Sequence, residues 1–252
     1  MGDKSQDSHS SDTGIIKKAL QSGLRIDDLQ CGPKGGSYRL IQDPKNFCFG
    51  VDAVCLSDFA AKRIKKGETV LDLCTGTGVI PILLCAKTEA SHITGLEIQP
   101  QMVEMARQSV KINGLQSRIR IDCGDVRNGV DIYPPNSFDA ITVNPPYIAA
   151  NSGILRESES MSIARHEIAC NLTDIAVLSA RLLKTGGRLY MVHRPNRLAE
   201  IFCVLRRVNL EPKAMQFAQS STNHEPSLVM IEAADHGRSG LTVEKVMFLG
   251  GR

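Results

Sequence analysis

Four consecutive residues, Asn144-Pro145-Pro146-Tyr147, carry the most specific chemistry in the chain. They follow an apolar run that ends at Val143, and two prolines in succession end a strand and stiffen the backbone, because each fixes φ and removes an N–H donor. The Asn144 side-chain oxygen and the Pro145 carbonyl can together accept both hydrogens of an incoming planar amine, while the Tyr147 ring stacks on the flat group bearing it. Three acids, Asp72, Glu97 and Asp125, stand at the ends of other apolar runs upstream. Asp72 precedes Thr75-Gly76-Thr77-Gly78, a turn whose glycines let the backbone approach a ligand closely and whose following helix presents free N–H groups. Pro81 occupies the place of the third glycine of a dinucleotide fingerprint, which argues against a tightly held pyrophosphate. Asp72 would repel phosphates but suits a ligand with a positive charge. Glu97 lies 21 residues after Gly76, the separation that puts a carboxylate on ribose hydroxyls, and Asp125, in Gly124-Asp125-Val126, suits an adenine amine. Taken singly, each acid reads sooner as a capping or solvated residue than as a ligand contact. Three in register at successive strand ends point to one nucleoside site.

The elements needed to position these residues are legible in the pattern. Strands are expected over 69–74, 92–98, 118–123, 138–143 and 188–193, and helices over 78–88, 100–113, 161–183 and 196–208. Two further apolar stretches, 214–218 and 228–233, predict a β-hairpin at a sheet edge. Alternating βα units ending in such a pair predict an α/β fold with a doubly wound, mostly parallel sheet, helices on both faces, and ligands beyond the carboxyl ends of the strands. Residues 67–252 form this domain. Residues 1–14 are polar and expected to be a disordered tail; 15–66 form an approach segment with a Gly/Pro loop at 31–37, an apolar stretch at 38–41 and a helix over 52–65.

The chain has 252 residues, 30 Lys plus Arg against 27 Asp plus Glu, and a net charge of +3. With 42% hydrophobic and 23% charged residues it has the composition of an ordinary globular domain, which excludes disorder for its bulk. The longest apolar run, 79–86, is far shorter than the roughly 20 residues a membrane span needs, and no apolar stretch follows a basic one at the N-terminus. A soluble, cytoplasmic protein with no membrane contact is expected. Eight cysteines are present without a Cys-x-x-Cys pair, so no metal site is expected. Cys74, Cys85 and Cys203 lie in apolar runs, where a thiol behaves as a small hydrophobe of a reducing compartment. The one strongly basic segment, residues 181–213, holds eight Lys or Arg against two acids, a surplus that suits a polyanion.

Residues 69–81, Glu97, Asp125 and Asn144 to Tyr147 resemble the successive motifs of class I S-adenosylmethionine-dependent methyltransferases. The Asn-Pro-Pro-Tyr form is similar to that of enzymes that methylate planar nitrogens, exocyclic base amines or the glutamine side-chain amide. Adding Ile41-Gln42-Asp43-Pro44, Phe47-Cys48-Phe49-Gly50-Val51-Asp52, Ala164-Arg165-His166-Glu167 and Val192-His193-Arg194-Pro195, the stretch 27–249 resembles the bacterial methyltransferases that act on adenine 37 of a valine tRNA. The resemblance implies a Rossmann-like, seven-stranded sheet with a C-terminal antiparallel hairpin. It implies S-adenosylmethionine as cofactor, held by Phe49, Gly50, Asp52, Asp72, Thr75, Gly76, Thr77, Gly78, Glu97, Ile98, Asp125, Val126 and Asn144. Asn144, Pro145, Pro146 and Tyr147 would be the catalytic set, and Arg165, His166, Arg194, Arg197, Arg206 and Arg207 would contact tRNA.

The implied reaction is direct methyl transfer to the N6 amine of adenine, with a monomer or homodimer acting on tRNA. Positioning supplies most of the catalysis, and an unstacked loop base is the accessible target. Two other readings remain open: a glutamine methyltransferase acting on release factors, which shares the chemistry on an amide, and a non-catalytic adaptor that only binds the cofactor.

Overall fold

The computed structural model describes residues 5–32, 36–46, 48–145 and 171–249. α1 (Ser5–Gln21) leads into an antiparallel pair, β1 (Arg25–Asp28) and β2 (Arg39–Gln42). The segment expected to be a tail thus belongs in large part to a helix. The reason lies just beyond it, where Ile15, Ile16 and Ala19 pack with Ile41, Met102 and Met105 in a small apolar cluster. A helix anchored there extends back through polar residues that carry no apolar signal of their own.

The βα units follow in order: α2 (Val51–Ala61), β3 (Thr69–Leu73), α3 (Val79–Lys87), β4 (His92–Glu97), α4 (Pro100–Ile112) and β5 (Ile119–Cys123). Then come a 3-10 turn (Val126–Asn128), the short α5 (Gly129–Ile132), β6 (Phe138–Val143), α6 (Leu172–Leu182) and β7 (Leu183–His193). A second 3-10 turn (Pro195–Arg197) opens α7 (Leu198–Arg207), followed by β8 (Leu210–Gln219), β9 (Leu228–Asp235), β10 (Thr242–Val243) and β11 (Met247–Phe248). Pro100 at the first turn of α4 has the φ a helix start requires. α6 opens on a reciprocal cap in which Asn171 Oδ1 accepts from Asp174 N at 3.0 Å and Asp174 Oδ2 from Asn171 N at 3.1 Å.

The main sheet runs β10-β8-β9-β7-β6-β3-β4-β5. β3 through β7 are parallel, and β9 is antiparallel to both β7 and β8. The C-terminal hairpin is therefore present, folded back so that its second strand lies inside. Where seven strands are expected, the sheet has nine among the described residues, because β10 and β11 pair parallel to the outer edge of β8. Each is two residues long, too short for any periodic signal in sequence.

Successive strand residues point to opposite faces, and the core divides accordingly. Val70, Ile93, Tyr190 and Met230 pack with Leu56, Phe59 and Ile82 of α2 and α3. Leu71, Leu73, Ile141, Val143 and Met191 pack with Ile175 and Leu182 of α6 and Ile201 and Leu205 of α7. Asp72, between Leu71 and Leu73, takes the α2 side. Among the described residues no helix is long and apolar enough to cross a membrane.

Candidate active site

β3 hands over to α3 through a turn with an unusual backbone. Cys74 (φ +57°), Gly76 (φ +56°) and Gly78 (φ +82°) all take left-handed conformations, which cost a non-glycine residue strain. A Cβ on Gly76 would meet open space, whereas one on Gly78 would lie 3.1 Å from Ala106 Cβ. Gly76 therefore serves the turn and Gly78 the close packing of α3 on α4. The buried Thr75 donates its N–H to the Leu96 carbonyl at 3.0 Å. Its side chain needs Gly95, where a Cβ would lie 2.8 Å from Thr75 Cγ2. Gly95 is a determinant that sequence reasoning missed, though a lone glycine inside a strand pattern is its signal.

Asp72 is fully buried. Thr142 Oγ1 donates to its Oδ1 at 2.6 Å, while Oδ2 has no hydrogen-bond partner among the described residues. Desolvation pushes its pKa up to about 7, against the opposing pull of the Thr142 and Thr75 hydroxyls and with a further push from Glu97. Glu97 is buried at the end of β4, where Oε2 accepts from Gly76 N at 3.0 Å and Oε1 from Gln99 N at 2.9 Å. It thus ties the glycine turn to the second loop. Ile98 beside it is 38% exposed, an apolar side chain at a loop where a flat base can lie. Asp125 caps the 3-10 turn by accepting from Arg127 N at 2.8 Å, and its carboxylate also pairs with the Arg127 guanidinium. That pairing holds its carboxyl below the usual range. The capping role open to Asp125 is thus present, and the adjoining Val126 is buried.

At the end of β6, Asn144 Nδ2 donates to Asp52 Oδ2 at 3.0 Å, and the buried Asn144 Oδ1 meets no donor among the described residues. Asp52 is on the first turn of α2, after Gly50, which precedes the helix. Phe49 donates its N–H to Gln42 Oε1 at 2.9 Å, fixing the approach to α2 on β2. Pro145 is buried next to Asn144. Phe47, Pro146, Tyr147, Arg165 and His166 lie outside the described residues. In register with this corner, His193 ends β7, two residues beyond Met191, which pairs with Val143. His193 Nδ1 accepts from Arg194 N at 2.8 Å, so the neutral ring carries its proton on Nε2. Burial, with the nearby Arg197, lowers its pKa to about 4.

The structure brings Asp52, Asp72, Thr75 to Gly78, Glu97 and Asn144 to one end of the sheet, and it does not bring all the basic residues there. Arg194 and Arg197 follow β7 at that end. Arg206 and Arg207 close α7 just before β8 starts, at the opposite end, where Arg206 pairs with Glu211 at 3.1 Å. Within the basic segment, Lys184 pairs with Asp139, Arg188 with Glu232 and Arg197 with Glu200. Two cations of the local surplus, Lys184 and Arg188, are thus paired in space with acids distant in sequence, whereas Glu200 lies only three residues from Arg197.

The residues present fit S-adenosylmethionine. Among the described residues, two buried acceptor atoms without partners, Asp72 Oδ2 and Asn144 Oδ1, suit a cationic ligand that brings donors, with the equally unpartnered Thr75 hydroxyl beside Asp72, and the open space at Gly76 admits close backbone approach.

Comparison with known proteins agrees with this geometry. A family model described as a methyltransferase domain matches residues 64–236. A Porphyromonas gingivalis protein named tRNA1(Val) (adenine(37)-N6)-methyltransferase is 26% identical over 187 residues, covering 73% of this chain and 72% of its own length. A protein of the same name from Mannheimia succiniciproducens is 29% identical over 146 residues, 57% of each chain. Among solved structures, a predicted O-methyltransferase from Agrobacterium tumefaciens superposes with a TM-score of 0.63 at 20% identity, covering 79% of this chain and 87% of that one. The T. thermophilus 16S rRNA N2 G1207 methyltransferase, solved with AdoMet and guanosine, gives 0.59 at 17% identity, covering 84% and 50%. These two likenesses bear on the fold alone.

Proposed function

The chain belongs to the methyltransferase-domain family whose model spans 173 of its 252 residues, 64–236, and from that premise we propose that it methylates the N6 amine of adenine in tRNA, with position 37 of a valine tRNA as the site. The cofactor is S-adenosylmethionine, which when bound supplies an electrophilic methyl group. The names of the relatives support the substrate, and one observation of this chain carries the chemistry. Asn144 presents a buried oxygen without a partner among the described residues, beside a backbone carbonyl that Pro145 holds in place.

An exocyclic amine is a weak nucleophile, because its lone pair is delocalised into the ring. Two acceptors that hold its hydrogens, Asn144 Oδ1 and the Pro145 carbonyl, favour the geometry in which that lone pair points out of the ring plane. They also stabilise the positive charge that develops on nitrogen, and the proton can leave to water afterwards, so no strong base is required. Asp72 and Glu97 would hold the cofactor's charged and hydroxyl groups, and Ile98 would cover its flat base. A single-stranded loop supplies the target base at the lowest unstacking cost.

The test is transfer of label from S-adenosylmethionine to RNA from a strain lacking the enzyme, beside a release-factor protein, with Asn144→Ala as control. Label recovered as N6-methyladenosine from tRNA and lost in Asn144→Ala is the expected result. Label in the protein alone assigns the activity to glutamine. Bound cofactor without label in either favours the adaptor or an untested small substrate.

A further inference from the structure

We propose that Asp52 is a positioning residue for methyl transfer: it fixes the Asn144 amide so that the oxygen, and not the NH2 group, faces the amine to be methylated. The proposal rests on the reading of the site given above and assigns to Asp52 a role other than holding the cofactor.

Hydrogen-bond polarity decides the orientation. An ionised carboxylate only accepts hydrogen bonds, and an asparagine amide has one donating and one accepting end. With Asp52 Oδ2 at 3.0 Å from the Asn144 side chain, only the NH2 group can face Asp52, since the flipped amide would set oxygen against oxygen. The acceptor end is then directed away from Asp52, and it is this atom that is buried without a partner among the described residues. Without Asp52 both orientations are open, and one of them opposes NH2 hydrogens to the hydrogens of the target amine.

The carboxylate is itself held from two sides. Asp52 Oδ1 accepts from Ala53 N at 2.9 Å, and its place in the first turn of α2 sets it at the positive end of the helix dipole. A Cβ on Gly50 would lie 2.8 Å from the same Oδ1, so the residue two positions earlier leaves the space the carboxylate fills. Asp52 and Asn144 come from elements 92 residues apart, yet α2 and β6 set them within one hydrogen bond.

The test is a double-mutant cycle on the full chain with Asp52→Asn, Asn144→Ala and the combination, measuring kcat, KM for tRNA and cofactor affinity by calorimetry. Asp52→Asn keeps the shape, and its neutral amide accepts either orientation of Asn144. The expected result is a kcat about 10- to 100-fold lower, with cofactor affinity and KM within about threefold of the parent. A residue acting through Asn144 adds nothing once Asn144 is gone. The combined variant should therefore be no slower than Asn144→Ala. Additive losses overturn the proposal, as does a weakened cofactor affinity with kcat unchanged, which would make Asp52 a cofactor ligand.

A second readout does not depend on turnover. The Asn144 side-chain amide signal in a 15N spectrum, assigned by its disappearance in Asn144→Ala, should be displaced and slow to exchange in the parent and should lose both features in Asp52→Asn. An unchanged signal overturns the proposal. If the parent labels release factor and not RNA, the adenine reading falls and the cycle is read on that protein. Label in neither overturns both, because no amine is then served.

Discussion

Thr142 on β6 donates to Asp72 on β3 at 2.6 Å and leaves the second carboxylate oxygen of a fully buried acid without a hydrogen bond among the described residues. An acid so placed is costly when ionised and empty, and favourable when a cationic ligand brings charge and donors to it. Asp72→Asn should weaken S-adenosylmethionine binding by about tenfold or more, the scale of one charge-assisted hydrogen bond. Calorimetry checks this, and an unchanged affinity would show that the ligand's charge is met elsewhere.

The same acid sets one of two opposing pH dependences. Its pKa is raised to about 7, so its contribution to stability is complete below the unfolded value near 4 and is lost as pH rises toward 7. His193 works the other way. Its pKa is depressed to about 4, so stability is complete above the unfolded value near 6.5 and is lost as pH falls toward 4. The parent should show a shallow profile across this window. Asp72→Asn should turn it into stability that rises with pH, and His193→Gln into stability that falls. Urea melts at several pH values check both signs.

Cys74 holds a left-handed φ of +57° in a turn otherwise shaped by glycines. Cys74→Gly should stabilise the chain by roughly 1 kcal/mol, the strain of a side chain in that region less the added freedom of glycine in the unfolded state. Chemical denaturation checks it. A destabilised variant would show that packing of the thiol outweighs the strain.

The sheet and the acids at its strand ends were legible because each is announced locally, by apolar runs, glycines and prolines within a few residues. Asp72, Glu97 and Asn144 are such residues. What the sequence hid depends on residues remote in the chain. Thr142 reads as one more strand residue until β6 pairs with β3 and sets it on Asp72. α1 has few apolar residues of its own and exists against α4. Asp52 reads as an ordinary first-turn acid, and only the fold brings Asn144 to it. The basic segment shows the converse failure, since counting charges along the chain cannot see Asp139 and Glu232 arriving to pair with Lys184 and Arg188.

That failure separates the arginines. Arg194 and Arg197 flank the site end of β7, whereas α7 carries Arg206 and Arg207 about 15 Å further along its axis at 1.5 Å per residue. That distance exceeds the screening length of about 8 Å at physiological salt. Arg206 pairs with Glu211 and Arg197 with Glu200, so place along α7, and not pairing, separates the two ends. Replacing Arg194 and Arg197 by Gln should weaken tRNA binding and flatten the plot of log affinity against log salt by about one unit for each phosphate no longer neutralised. Replacing Arg206 and Arg207 by Gln should leave the slope near the parent's. Filter binding across a salt series distinguishes them, and equal weakening from the two pairs would mean that the RNA wraps past the edge of the site to the far end of α7.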